Sequence, residues 1–131
     1  MKLESAKVSL EKSAQEVFNF LTNVENFEQL MPENISKFKL IDNDTFVFAL
    51  SGMPEIVLKK KSMVSPHTIV LGAAGGKLDF SLTAKIESPS KTQSDVQLTF
   101  EGDFNAMMAM MIKAPISKFI ETLALNIPKK I

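Results

Sequence analysis

The 131-residue chain has no cysteine, no tryptophan, no tyrosine and no arginine, and its only histidine is His67. Each absence removes a kind of chemistry. Without thiols there are no disulfides, no thiolate metal sites and no cysteine nucleophile. With one histidine and no cysteine, a histidine-rich zinc site and a Rieske cluster are excluded as well. Without arginine the planar fork that grips phosphate or carboxylate at two points is missing. Without tyrosine no phenol can donate a proton. Charge of one sign is lacking too. Fifteen lysines balance fifteen aspartates and glutamates, so no global field draws the chain to nucleic acid. No apolar run approaches the ~20 residues that cross a bilayer. The opening "MKLESAKVSLEKSAQ" carries charges throughout and no apolar signal core, which makes a cytoplasmic protein the expectation. No cofactor, no metal, no nucleic-acid partner and no membrane span are expected.

What the chain does have is ten phenylalanines and eight methionines. Its length fits one domain, residues 1–131, which should bury roughly two-thirds of its unfolded surface. No repeat, linker or low-complexity block interrupts it. Residues 2–10 suggest a strand, with Ala6, Val8 and Leu10 alternating against Lys7 and Ser9. Ser13 and Glu16 then form a capping box for a helix carrying Val17, Phe18, Phe20, Leu21 and Val24. A break over Asn23 to Asn26 precedes a short turn with Phe27, Leu30 and Met31, and Pro32 stops it.

From residue 36 the apolar period switches toward two. "DND" at 42–44, "SGMPE" at 51–55, "SPH" at 65–67 and the glycines of "TIVLGAAGG" separate successive apolar runs. "KLDFSLTAKIE" puts Leu78, Phe80, Leu82, Ala84 and Ile86 on one face; "DVQLTFEGDF" does the same with Val96, Leu98, Phe100, Gly102 and Phe104. Short turns imply antiparallel neighbours, and one-sided alternation implies one covered face. The pattern predicts an α+β fold: a curved antiparallel meander covered by the long C-terminal helix.

That helix is read from Asn105, its N-cap. One stripe gathers Met108, Ile112, Ile116, Phe119 and Leu123, with Ile120 and Ile127 at its edge; Lys113, Ser117, Lys118, Glu121 and Thr122 lie opposite. Met107 and Met110 fall off the stripe, so the first turns are apolar nearly all round. Methionine is unbranched and polarizable and suits a surface of variable shape. Pro115 removes the hydrogen bond to the Met111 carbonyl. Three readings stand open for these turns: the wall of a pocket, gap-filling in a core, or a homodimer contact through Met107 and Met110.

The segment "KSAQEVFNFLTNVENFEQLMP", residues 12–32, resembles the opening of the START-like superfamily. That is the helix-grip fold of lipid-transfer domains, the birch pollen allergen family and polyketide cyclases. Ser13, Glu16, Val17, Phe18, Leu21, Thr22, Asn23, Phe27, Leu30 and Pro32 carry the likeness, although the tryptophan many members place near Leu30 or Met31 is missing. The resemblance implies a strongly curved seven-stranded antiparallel sheet wrapped around the last helix, with two short helices after the first strand and a cavity between sheet and helix. It makes Phe46, Phe48, Phe80, Leu82, Leu98, Phe100, Met108, Met111, Ile112 and Phe119 candidate walls of that cavity.

Few residues offer chemistry beyond apolar contact. In "LKKKS", strand alternation gives Lys60 the parity of Ile56 and Leu58, which would turn it into the chamber; Val57 and Met63 argue for the other face. An inward Lys60 would be a candidate contact for a ligand carboxylate. His67 falls in a turn. "GAAGG" is followed by a strand and not a helix, so it reads as a hairpin and not a phosphate loop. The acids Asp79, Glu87, Asp95, Glu101 and Asp103 mostly share the outer, polar parity. The expectation is a non-catalytic binder of an apolar small molecule such as a lipid, isoprenoid or polyketide-like compound. A cyclase- or dehydratase-like enzyme using Lys60 or His67, and an interaction module built on the methionine-rich turns, are the alternatives.

Overall fold

The computed structural model describes residues 1–53, 55–74 and 79–131. Along the chain run β1 (Lys2–Glu4), β2 (Val8–Leu10), α1 (Ala14–Thr22), a 3-10 turn (Val24–Asn26), α2 (Phe27–Leu30), β3 (Ile35–Asp42), β4 (Thr45–Leu50), β5 (Ile56–Val64), β6 (Thr68–Ala73), β7 (Phe80–Ser90), β8 (Gln93–Gly102) and α3 (Ala106–Lys130). The strands form one open antiparallel sheet in the order β1-β8-β7-β6-β5-β4-β3, with β2 also beside β8. Register shifts in β3, in β5 and at the β7–β8 turn mark bulges, which add twist and bend the strands. The expected helix grip is present.

Among the described residues the sheet has eight strands where seven were expected, because the first is broken in two. At the break the Ser5 backbone N–H donates to the Leu98 carbonyl at 2.8 Å, while its Oγ accepts from the Leu98 N–H at 3.0 Å. A side-chain oxygen thus stands in for a main-chain carbonyl. Ala6 leaves the ladder, and its N–H donates to Glu121 Oε1 of α3 at 2.8 Å. The break shifts the parity: Leu3 and Ser5 point inward before it, Val8 and Leu10 after it, and Ala6 is exposed. Simple alternation over 2–10 placed Ala6 inward; a slip of one residue explains the difference.

α1 begins at the capping box read from sequence. The Glu16 N–H donates to Ser13 Oγ at 3.1 Å and the Ser13 N–H to Glu16 Oε1 at 3.4 Å. Ala14, Val17, Phe18 and Leu21 are its buried side, the spacing of one helical face. The inner face of the meander also follows the expected parity. Leu82 is paired in register with Phe100, Ala84 with Leu98 and Ile86 with Val96, and all six are buried. Leu78, Pro54 and most of the glycine-rich connection, residues 75–78, lie outside the described residues. The strands flanking that connection, β6 and β7, are antiparallel partners. Gly52 in the β4–β5 turn has φ of +81°, a conformation glycine adopts without steric cost.

A chain of phenylalanines fills the centre. Phe27 and Phe38 stack on Phe46 at 5.4 and 5.3 Å between ring centroids, Phe46 lies 6.0 Å from Phe48, and Phe48 stacks on Phe119 of α3 at 4.8 Å. Such pairs add about 0.5–1.5 kcal/mol each beyond their buried area. Ile116, Ile120, Leu123, Ala124 and Ile127 complete the helix side of this core.

Candidate functional site

The two halves of α3 are held very differently. From Ile116 onward the helix is buried along its inner stripe and tied at two sides: Glu121 to Ala6, and Asn126, whose Nδ2 donates to the Leu30 carbonyl at 2.9 Å. Glu121, placed on the outer side by simple helical stepping, is half-buried against the broken first strand. Before Pro115 the inner residues Met108 and Ile112 are only half-buried, and Met107, Met110 and Met111 are 75%, 82% and 71% exposed. Asn105 caps this front end, its Oδ1 accepting the Met108 N–H at 2.9 Å.

The antiparallel topology gathers the strand ends at the end of the sheet from which α3 starts. β4 ends there at Leu50, β5 begins at Ile56, β6 ends at Ala73, β7 begins at Phe80 and β8 ends at Gly102. The side chains at this mouth are apolar and half-covered. Phe80, Phe100 and Phe104 form a stacked trio, with centroids 5.6 Å (Phe80–Phe100), 6.5 Å (Phe80–Phe104) and 6.2 Å (Phe100–Phe104) apart, the last pair within 3° of parallel. Phe100 is buried beneath the other two, which remain partly open. Met53, Ile56 and Ile112 pack against the same core and are likewise half-exposed. Gly102 gives the trio its room: a Cβ there would collide with the Phe104 ring and stand 3.0 Å from Phe80 Cβ.

The residues expected to line a cavity therefore separate into groups. Phe80 stands half-open over the buried Phe100 at the end of the sheet, and Met108 and Ile112 are the half-buried inner residues at the front of α3. Phe46, Phe48, Leu82, Leu98 and Phe119 are buried in the filled interior behind them. Met111 faces outward: it lies about 100° round the helix from Ile112, and the inner wall ends with Ile112. Phe104 belongs to the mouth although it was not among the expected wall residues. The inward parity of the "DVQLTFEGDF" alternation, which runs on to Phe104 beyond the end of β8, was the available signal.

Lys60 does turn inward, paired in register with the buried Leu71, and Lys61 is the extra residue of the bulge beside it. The Lys60 amine reaches the far end of the molecule. There Nζ donates to the Thr22 carbonyl at the end of α1 at 2.8 Å and lies 3.2 Å from Asp44 Oδ1, with the side chain 18% exposed. A cation on the last carbonyls of a helix is a favourable placement, and it commits Lys60 to the frame. His67 is exposed, with Nδ1 3.4 Å from the Ile86 carbonyl. Asp42, at the same far end, titrates below its ordinary value of 3.8. Its carboxylate accepts the Asp44 N–H, with a hydrogen bond from Thr45 acting in the same direction. Lys7 titrates above its ordinary range through its hydrogen bond to Glu87 and that carboxylate's charge.

Two surface depressions stand out among the described residues. One, of about 410 Å³, lies at the sheet end between residues 1–2, 79–81 and 101–103 and is rimmed by Asp79, Glu101 and Asp103. The other, about 320 Å³, lies by Ser9, Pro89 and Asp95. Neither sits between sheet and α3.

This arrangement, an open bent sheet gripping a long terminal helix, is the START/Bet v1-like helix-grip fold. A norcoclaurine synthase from Thalictrum flavum superposes with a TM-score of 0.76 at 12% identity, over 98% of this chain and 84% of the synthase. A START superfamily protein from Mycobacterium smegmatis gives 0.68 at 10% identity, over 98% and 97% of the two chains. A protein from Thermus thermophilus gives 0.75 at 8%, over 99% and 96%. No protein-family model and no curated protein matches the chain. Identities this low establish the shared fold.

Proposed function

We propose that this protein binds an apolar small molecule at the open end of the grip and does no chemistry on it. The observation that carries this reading is the half-covered Phe80–Phe100–Phe104 trio at the end of the sheet from which α3 sets out, with Met108 and Ile112 half-buried on the inner stripe at the front of that helix. The stacked phenylalanine core favours a ligand at this mouth, between the half-open rings and the front of α3, over one deeper in. Burial of apolar area supplies the affinity, at roughly 25 cal/mol per Å² before ordering costs. Flat or unsaturated apolar compounds, isoprenoid or polyketide-like, suit the stacked rings; a lipid chain suits the methionines. A norcoclaurine synthase of this fold has been solved in complex with dopamine and hydroxybenzaldehyde, two small aromatic molecules. Its name marks an enzyme; here Lys60 is engaged at the far end with Thr22 and Asp44, which supports the non-catalytic reading. The lack of cysteine is in keeping with a cytoplasmic carrier or sensor.

The test is titration with an environment-sensitive apolar fluorophore, alongside native mass spectrometry of the freshly purified protein. Replacing Phe80 and Phe104 together by alanine should weaken fluorophore binding at least tenfold. Unchanged affinity in that variant, with the fold intact, would overturn the mouth as the site. The strong exposure of Met107 and Met110 favours a second role for the outer side of the same turns.

A further inference from the structure

The outer side of the front of α3 carries an apolar stripe whose spacing is the same from either end. Met107, Met110, Met111 and Ala114 are all exposed, and offsets of zero, three, four and seven place them along one flank. A two-fold interface requires a patch that complements itself. If two such helices cross antiparallel with the axis between Met110 and Met111, Met110 meets Met111 of a second copy and Met107 meets the small Ala114. Large then faces small at both ends, and large faces large at the centre.

The charges agree with this alignment. Between Asp103 and Glu121 the charged residues are Lys113 and Lys118. Lys118 continues the stripe's flank seven residues beyond Met111, and Asp103 lies just before the helix, at the sheet end, so the antiparallel alignment brings each Lys118 toward the Asp103 end of the second copy. Both are exposed, and neither belongs to an ion pair among the described residues. A parallel alignment would set Lys118 against Lys118 and Lys113 against Lys113. A specific interface buries at least about 1,000 Å² in total. Three methionines, each more than two-thirds exposed on both copies, bring the stripe toward that lower bound.

We propose that this face is a two-fold homodimer interface, formed by antiparallel packing of the front turns of α3 and flanked by two Lys118–Asp103 pairs. The dimer is weak, with dissociation in the micromolar range, and does not depend on the ligand reading.

Sedimentation velocity over a concentration series up to several hundred micromolar tests it. The expected result is a reversible monomer–dimer equilibrium. Met110→Lys with Met111→Lys should weaken it at least tenfold, leaving thermal unfolding unchanged because both side chains are exposed. Lys118→Glu should weaken it, and adding Asp103→Lys should restore it. Orientation is read with engineered thiols, which have no native cysteine to confuse them. A mixture of the Met107→Cys and Ala114→Cys variants should give the mixed disulfide in excess of either symmetric one. A monomer at every concentration overturns the proposal, as does preferential cross-linking of the Met107→Cys variant with itself. If the Met110→Lys, Met111→Lys variant sediments like the parent but, unlike it, fails to bind zwitterionic phosphatidylcholine vesicles, the stripe is a membrane-facing surface and the dimer is excluded.

Discussion

Single residues in this protein show how the same side-chain type takes its role from what it can reach. Lys60 shares a face with the core, yet its four-carbon stem carries the amine to Thr22 and Asp44. Lys60→Met should therefore destabilise the fold by about 1–2 kcal/mol, the loss of a charge-assisted bond to a helix-terminal carbonyl, and leave fluorophore binding unchanged. Urea denaturation read beside the binding titration checks both halves. Asp42 gives the pH-dependent counterpart. Its carboxyl is held below 3.8 by the Asp44 N–H and by Thr45. A depressed carboxyl contributes its stability above the unfolded pKa and loses it as pH falls through the folded one. Thr45→Val should thus move the Asp42 titration upward, toward the ordinary value, as followed by side-chain carboxyl NMR.

At the scale of elements, α3 is one helix with two mechanical regimes. Its back half is buried and bonded to the break between β1 and β2 and to α2; its front half is half-buried at Met108 and Ile112 and otherwise largely exposed. Pro115 lies at the junction and leaves the Met111 carbonyl without its helical donor. Pro115→Ala restores that donor and should raise stability by up to ~3 kcal/mol, measured by denaturant unfolding. Gly102→Ala works in the opposite sense. The added methyl must push the Phe104 ring aside, so fluorophore affinity should drop severalfold. In α1 the capping box makes Ser13→Ala cost about 1 kcal/mol, with no effect at the distant mouth.

Across the whole molecule, core and candidate site occupy different parts of one apolar interior. Phe48 is buried between Phe46 and Phe119; Phe80 stands partly open at the mouth. Phe48→Ala should cost about 3–5 kcal/mol of stability through lost contacts and a cavity. Phe80→Ala should cost clearly less and lower fluorophore affinity more. Paired thermal melts and titrations of the two variants decide it, and equal losses on both measures in both variants would count against a separate site.

The sequence alone determined the element order, the capping box, the inward parity of β7 and β8, and the inner stripe of α3. Those follow from local periods of two and 3.6 and from capping chemistry, which neighbouring residues fix by themselves. Only the tertiary structure decided that the first strand breaks at Ser5, that Lys60 reaches the end of α1, that Glu121 caps Ala6, and that Phe46 and Phe48 fill the centre while Phe80 and Phe104 remain half-open. Each of those depends on which residues far apart in the chain come within a few ångströms, and on how much space is left when they do. Periodicity gives the face a side chain points to; it carries no record of what stands opposite.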